Sequence, residues 1–172
     1  LGIRRLEAII ASHPHADHVG GLVTVMERVE VGHYLDSGQH FGSATAARIH
    51  QLIRDRGIAY HTVAAGDSIL GFGEASAVVL HPRPGFVNLN GEAPDGLNNG
   101  SVVVKITFQG ESFLLTGDIE HETDSALLAW GERLHSSILK AAHHGSRTSS
   151  TRLFLEAVSP RWVAISCGIE NK

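Results

Sequence analysis

The chain has one cysteine, Cys167, among 172 residues. A single thiol excludes an intrachain disulfide framework and any zinc site built on thiolates. Aromatic side chains are also scarce, at 6% with two tryptophans. Trp130 and Trp162 each lie in or beside an apolar segment, so the core is expected to take them rather than a base-stacking platform. Cys167, just after a strand expected to be buried, is expected to behave as an inert small hydrophobe. No apolar run approaches the roughly 18 residues of a membrane-spanning helix. No secretory leader is recognisable either, so this chain is expected to be soluble. An excess of basic charge is missing as well: 14 Lys and Arg against 18 Asp and Glu leave −4. That total does not advertise a nucleic-acid binder.

Histidine is what the chain has in excess, with twelve. The hydrophobic share of 42% is that of a globular protein, and the length suits a single domain, residues 1–172. Apolar spacing predicts strands at Leu6–Ser12, Val31–Leu35, Tyr60–Val63, Ala75–Leu80, Ile138–Ala142 and Trp162–Ser166. It predicts helices at Leu22–Val29, Ala44–Arg56, His121–Trp130 and Thr151–Val158. Ser101–Phe108 and Ser112–Thr116 flank Gln109-Gly110-Glu111, a hairpin signal. The proline-rich stretch His81–Asn99 reads as a long loop. Alternating strands and helices with a hairpin between them predict a mixed α/β domain.

Three predicted strands run into ligand-type residues, and sites in α/β proteins gather beyond the carboxyl ends of strands. The first gives SHPHADHVGG, Ser12–Gly21. His13 and His15, two apart in extended chain, point the same way and can hold one metal ion. Asp17 and His18 add an oxygen and a nitrogen, enough for one crowded ion or for a share in two. The second strand ends LLTGD, presenting Asp118, a carboxylate that can bridge two ions. The third runs through Lys140-Ala-Ala-His143-His144-Gly145-Ser146. Imidazole and carboxylate without thiolate suit zinc, manganese or iron.

HPHADH, LLTGD and KAAHHGS together resemble the metallo-β-lactamase superfamily. That resemblance implies an αββα sandwich, a four-layer α/β fold with one or two divalent ions, zinc or manganese, at the edge between its sheets. SHPHADHVGGL, LNNGSVVVKITFQGESFLLTGDIE and ILKAAHHGSRTSS resemble more narrowly the C-terminal domain of the ComEC family of DNA-internalisation competence proteins. Carried over, His13 and His15 are first-site ligands, Asp17 and His18 the second-site pair, Asp118 the bridge and His143 the final ligand. His144 is the alternative to His143, with the other acting on substrate. The superfamily's further first-site histidine has no counterpart at Leu97-Asn98-Asn99, where ComEC-like sequences also carry Asn. Water or an Asn oxygen from Asn98 or Asn99 would complete that site; His81 is expected to be structural. The resemblance also predicts a fragment that lacks the domain's N-terminal strands, so that one sheet is short.

The function implied is a metal-dependent hydrolase, a nuclease or phosphodiesterase acting on DNA during competence-related uptake. Asp17 or Asp118 would orient the attacking water and His144 would protonate the leaving oxygen. Ser146, Arg147, Ser149 and Lys140, with Asn98 and Asn99, are the candidate substrate contacts. Arg152 and Arg161 would either extend a basic rim or form a solvated face. The parent is expected to be a polytopic membrane protein carrying this domain outside the cytoplasmic membrane. Two alternatives are a hydrolase of the same fold acting on a small phosphodiester or ester, and a metal-stabilised DNA-binding module without turnover.

Overall fold

A computed structural model describes residues 2–71 and 73–168. The chain runs β1 (Arg5–Ile10), α1 (Ala16–Arg28), β2 (Glu30–Asp36), α2 (Ala44–Arg56), β3 (Ala59–Thr62), β4 (Ser68–Ile69) and β5 (Ser76–His81). It continues α3 (Gly96–Asn99), β6 (Val103–Phe108), β7 (Glu111–Leu115), α4 (His121–Leu127), β8 (Ile138–Lys140), α5 (Arg152–Val158) and β9 (Trp162–Ala164). Two 3₁₀ segments, Leu128–Leu134 and Ala142–Gly145, flank β8. No helix among the described residues is long and apolar enough to cross a membrane.

Local chemistry explains the better-defined elements. The Ser43 hydroxyl accepts from the amide of Ala46 at 3.1 Å and starts α2. Gly57, at φ +64°, ends it in the left-handed conformation that costs glycine least. Gln109 and Gly110 both have positive φ and join Phe108 to its partner Glu111, a two-residue hairpin loop that matches strand twist.

Strands β1, β2 and β3 form a parallel sheet, and β4 to β9 form a six-stranded mixed sheet in sequence order. Helices α1 and α2 cover the smaller sheet through Ile9, Val19, Met26, Tyr34, Ile49 and Leu52. On the larger sheet, Val103, Leu114 and Leu139 pack under Leu127, Leu134, Phe154 and Val158 of the second helical layer. Between the sheets lie Leu35, Val63, Val79 and Val104. These three apolar layers make the four-layer αββα sandwich. The sheets are unequal, three strands against six, and Phe113, Leu115 and Trp162 on the larger one stay exposed.

Several expectations need correction. Helix α1 starts at Ala16, not Leu22, because Asp17 sits favourably in its first turn and Val19 and Met26 bury its inner face. Gly20 and Gly21 therefore lie inside the helix. Trp162 is 64% exposed, since β9 is an edge strand open to solvent. Cys167 is exposed beyond the same strand. Trp130 does pack, donating from Nε1 to the Leu80 carbonyl at 3.0 Å.

Candidate metal centre

The site lies where β1, β7 and β8 end. Ala11 to Pro14 leave β1 through bends at Ser12 and Pro14, and α1 then opens with Asp17 and His18 in its first turn. Beyond β7, Gly117 has φ +56°, and a Cβ there would stand 2.6 Å from Ser101 Cβ and 2.9 Å from Ser12 Cβ. Only glycine lets the chain turn there and deliver Asp118. Beyond β8, His143 and His144 both adopt left-handed φ, at 45° and 54°. Such residues persist only where surroundings over-determine them. Here Ser149 Oγ lies 2.9 Å from the Ala142 carbonyl, and Ser150 Oγ accepts from the Ala142 amide.

One ligand atom each from Asp17, His18, Asp118 and His144 lies within 4.8 Å of all the others. His18 Nε2 is 3.0 Å from Asp118 Oδ2 and 3.2 Å from His144 Nε2. His144 Nε2 is 3.1 Å from Asp118 Oδ2 and 3.2 Å from Asp17 Oδ2. The His18 to Asp17 separation is 3.5 Å. Metal bonds of about 2.0–2.2 Å at angles between square and tetrahedral would space ligand atoms roughly 2.9–3.5 Å apart. The five separations above fall in that range and the whole group lies within 4.8 Å, so these donor types at this spacing suit a divalent ion. Asp118 is buried, and its Oδ1 accepts no hydrogen bond.

Each imidazole is fixed through its far nitrogen, which leaves Nε2 for the group. His144 Nδ1 donates to the Ser166 carbonyl at 2.6 Å, and His18 Nδ1 is 3.1 Å from Ser12 Oγ. Burial would raise the Asp118 carboxyl, yet His18, Lys140 and His13 hold it well below the usual carboxylate range. Burial also opposes the ionised form of Asp17, but its own helix-terminal amide, His18 and His144 lower it overall. Both groups are carboxylates at neutral pH, as ligands must be.

The structure brings His144, not His143, into this group. His143 Nδ1 instead meets Glu120 Oε1 at 3.1 Å. His13 and His15 stand alongside, with His13 Nε2 at 2.9 Å from His15 Nδ1. Burial, with His18 nearby, pushes the His13 imidazole down to about 3, so it is neutral. Asn99 faces away: its Oδ1 accepts from the Glu120 amide and from Thr123 Oγ1, both at 2.8 Å. Asn98 Oδ1 is buried without a hydrogen bond. Ser149 is buried in its own loop, whereas Arg147 is exposed and Ser146 half-buried at the rim. Lys140 turns inward, and Arg152 and Arg161 pair with Glu156 and Glu111. His81 is buried, with Nε2 bonded to the Asn99 carbonyl at 2.8 Å.

Sequence reasoning passed over Ser12, Ser101 and Glu120. Ser101 Oγ accepts from the Asp118 amide at 3.1 Å and stands 3.3 Å from His13 Nδ1. Their position beside HPHADH and within LNNGS and TGDIE was the available signal. His33 and His61 face each other across β2 and β3 with ring nitrogens 3.1 Å apart.

Residues 1–168 match the family model of the metallo-beta-lactamase superfamily. The chain is 29% identical over 173 residues to ComE operon protein 3 of Bacillus subtilis, covering 99% of this chain and 21% of that protein. It is 28% identical over 172 residues to competence protein ComA of Neisseria gonorrhoeae, again 99% and 21%. It thus spans about a fifth of each relative's length. Among solved structures, CmlA, a diiron beta-hydroxylase from Streptomyces venezuelae, superposes with TM-score 0.55 at 16% identity, covering 93% of this chain and 35% of that one.

Proposed function

The chain belongs to the metallo-β-lactamase superfamily, and on that footing we propose that it is a metal-dependent phosphodiesterase that cuts DNA. The four-donor group Asp17, His18, Asp118 and His144 is the observation that carries this reading. Its imidazoles and carboxylates suit zinc or manganese, and His13 with His15 are the further donors beside it. A divalent ion held there supplies Lewis-acid charge to a phosphoryl oxygen.

The protein's own groups do the rest. Asp17 is the exposed member and orients the attacking water. His18 and His144 act as ligands through Nε2, their far nitrogens held by Ser12 and the Ser166 carbonyl. The proton-transfer role expected of His144 falls to His143, whose Nδ1 is held by Glu120, leaving Nε2 to exchange a proton with the leaving oxygen. Ser146 and Arg147 at the rim of the same loop meet the phosphate. DNA as substrate is favoured by the likeness to competence proteins, and a membrane-borne parent carrying this domain outside the cytoplasmic membrane is what the ComEC-family resemblance implies.

A small phosphodiester substrate is the second reading. It is favoured by the pairing of Arg152 and Arg161 with acids and by the inward turn of Lys140, which leave little free positive charge at the rim. Cleavage of end-labelled single- and double-stranded DNA, beside bis(p-nitrophenyl) phosphate, with Mn²⁺, Zn²⁺ or EDTA separates the two. The nuclease reading expects metal-dependent DNA cutting that disappears in Asp17→Ala. Hydrolysis of the small ester alone supports the second reading, and a metal-loaded protein that cuts neither substrate refutes both.

A further inference from the structure

We infer that Lys140 is a fixed counter-charge to Asp118, a positioning residue that limits the centre to one divalent ion. This rests on the four-donor group being a metal site. The two oxygens of Asp118 have different surroundings. Oδ2 faces His18 and His144, whereas Oδ1 is buried, accepts no hydrogen bond and has the Lys140 ammonium 3.6 Å away.

That ammonium is anchored rather than poised for substrate. Lys140 Nζ donates to the Gly117 carbonyl at 2.9 Å and to the Ala141 carbonyl at 3.2 Å. The lysine's own carbonyl accepts from Thr116 Oγ1 at 2.8 Å, which pins the end of β8 to the end of β7. Its side chain is 22% exposed. Reaching a bound phosphate would mean leaving two carbonyls and a carboxylate behind.

Charge and donor count then act together. Two carboxylates, one ammonium and one divalent ion leave the centre at +1, and a second ion would take it to +3. Around Asp118 and Lys140, which are largely withheld from water, that repulsion exceeds its value in bulk solvent. A second ion would also depend on His13 and His15. Among the described residues, no third histidine, cysteine or acidic ligand atom gathers with that pair, and the Asn99 side chain faces Glu120 and Thr123. Sharing Asp118 is then its best recourse, and the ammonium already offsets that carboxylate.

The test is metal content by mass spectrometry and Mn²⁺ titration calorimetry on the wild type, Lys140→Gln and Lys140→Arg, with circular dichroism to confirm folding. The wild type and Lys140→Arg should bind one ion per chain. Lys140→Gln should bind the first ion at least tenfold tighter and take up a second. Two ions in the wild type, or a folded Lys140→Gln with wild-type stoichiometry and affinity, would overturn the inference while leaving the metal site standing. No ion in the wild type would overturn the metal reading and this inference with it. Should Lys140→Gln fail to fold, the wild-type stoichiometry decides.

Discussion

Acidification should remove stability through His81, a residue outside the metal group. His81 ends β5 and is 4% exposed, packed edge-on to Phe86 at 4.9 Å between ring centroids. Its Nε2 donates to the Asn99 carbonyl, part of the same residue whose side chain fixes the Glu120 amide. Burial drives the imidazole down, the Asn99 contact offsets this in part, and Arg83 adds to it; the result is about 4 against an ordinary 6.5. The folded pKa lies below the unfolded one, so as pH falls the unfolded chain takes up the proton first. Stability from neutral His81 is complete above pH 6.5 and is lost progressively down to about pH 4. The difference corresponds to a ceiling of about 3 kcal/mol. Urea denaturation of metal-free protein at pH 7.5 and pH 4.5, for wild type and His81→Gln, measures it. The glutamine keeps a donor for Asn99 but does not titrate, and every other group contributes to both proteins alike. Wild type should lose about 2–3 kcal/mol more than the variant over that interval. Equal losses would refute the argument.

Gly117→Ala should destabilise by about 2 kcal/mol or more and weaken metal binding, because its Cβ would strike Ser101 and Ser12 in a left-handed conformation. Denaturation and Mn²⁺ titration check both effects. Phe154→Ala, at a fully buried position in the core of the larger sheet, should cost roughly 3–5 kcal/mol by urea denaturation. Glu120→Gln should lower kcat by roughly 10²-fold at unchanged metal content, since it frees the His143 ring from its carboxylate. Unchanged turnover would remove His143 and Glu120 from the proposed reaction.

Much of the architecture was legible because period and punctuation agreed. Ala44–Arg56 was legible as a helix from its apolar spacing, and the structure adds the Ser43 cap and the left-handed Gly57 that bound it. The three polar-ended strands likewise pointed to the sheet edge where Asp17, His18, Asp118 and His144 gather. What the sequence did not carry was direction. HHG reads as two equivalent imidazoles, and only the left-handed turn at His143 and His144 sends one ring to Asp118 and the other to Glu120. Lys140, Asn99 and Ser149 read as substrate contacts until their partners, all distant in sequence or on backbone, are seen. Trp162 carried the composition of a core residue, but an edge strand gives it no opposite face to pack on.

The central claim is that Asp17, His18, Asp118 and His144 converge on one ion. Anomalous diffraction at the manganese edge, from crystals grown with Mn²⁺, tests it most directly. The account predicts a single strong peak bonded to one atom from each of those four residues. A peak held by His143 in place of His144, a peak on His13 and His15 alone, or no peak at all would contradict it.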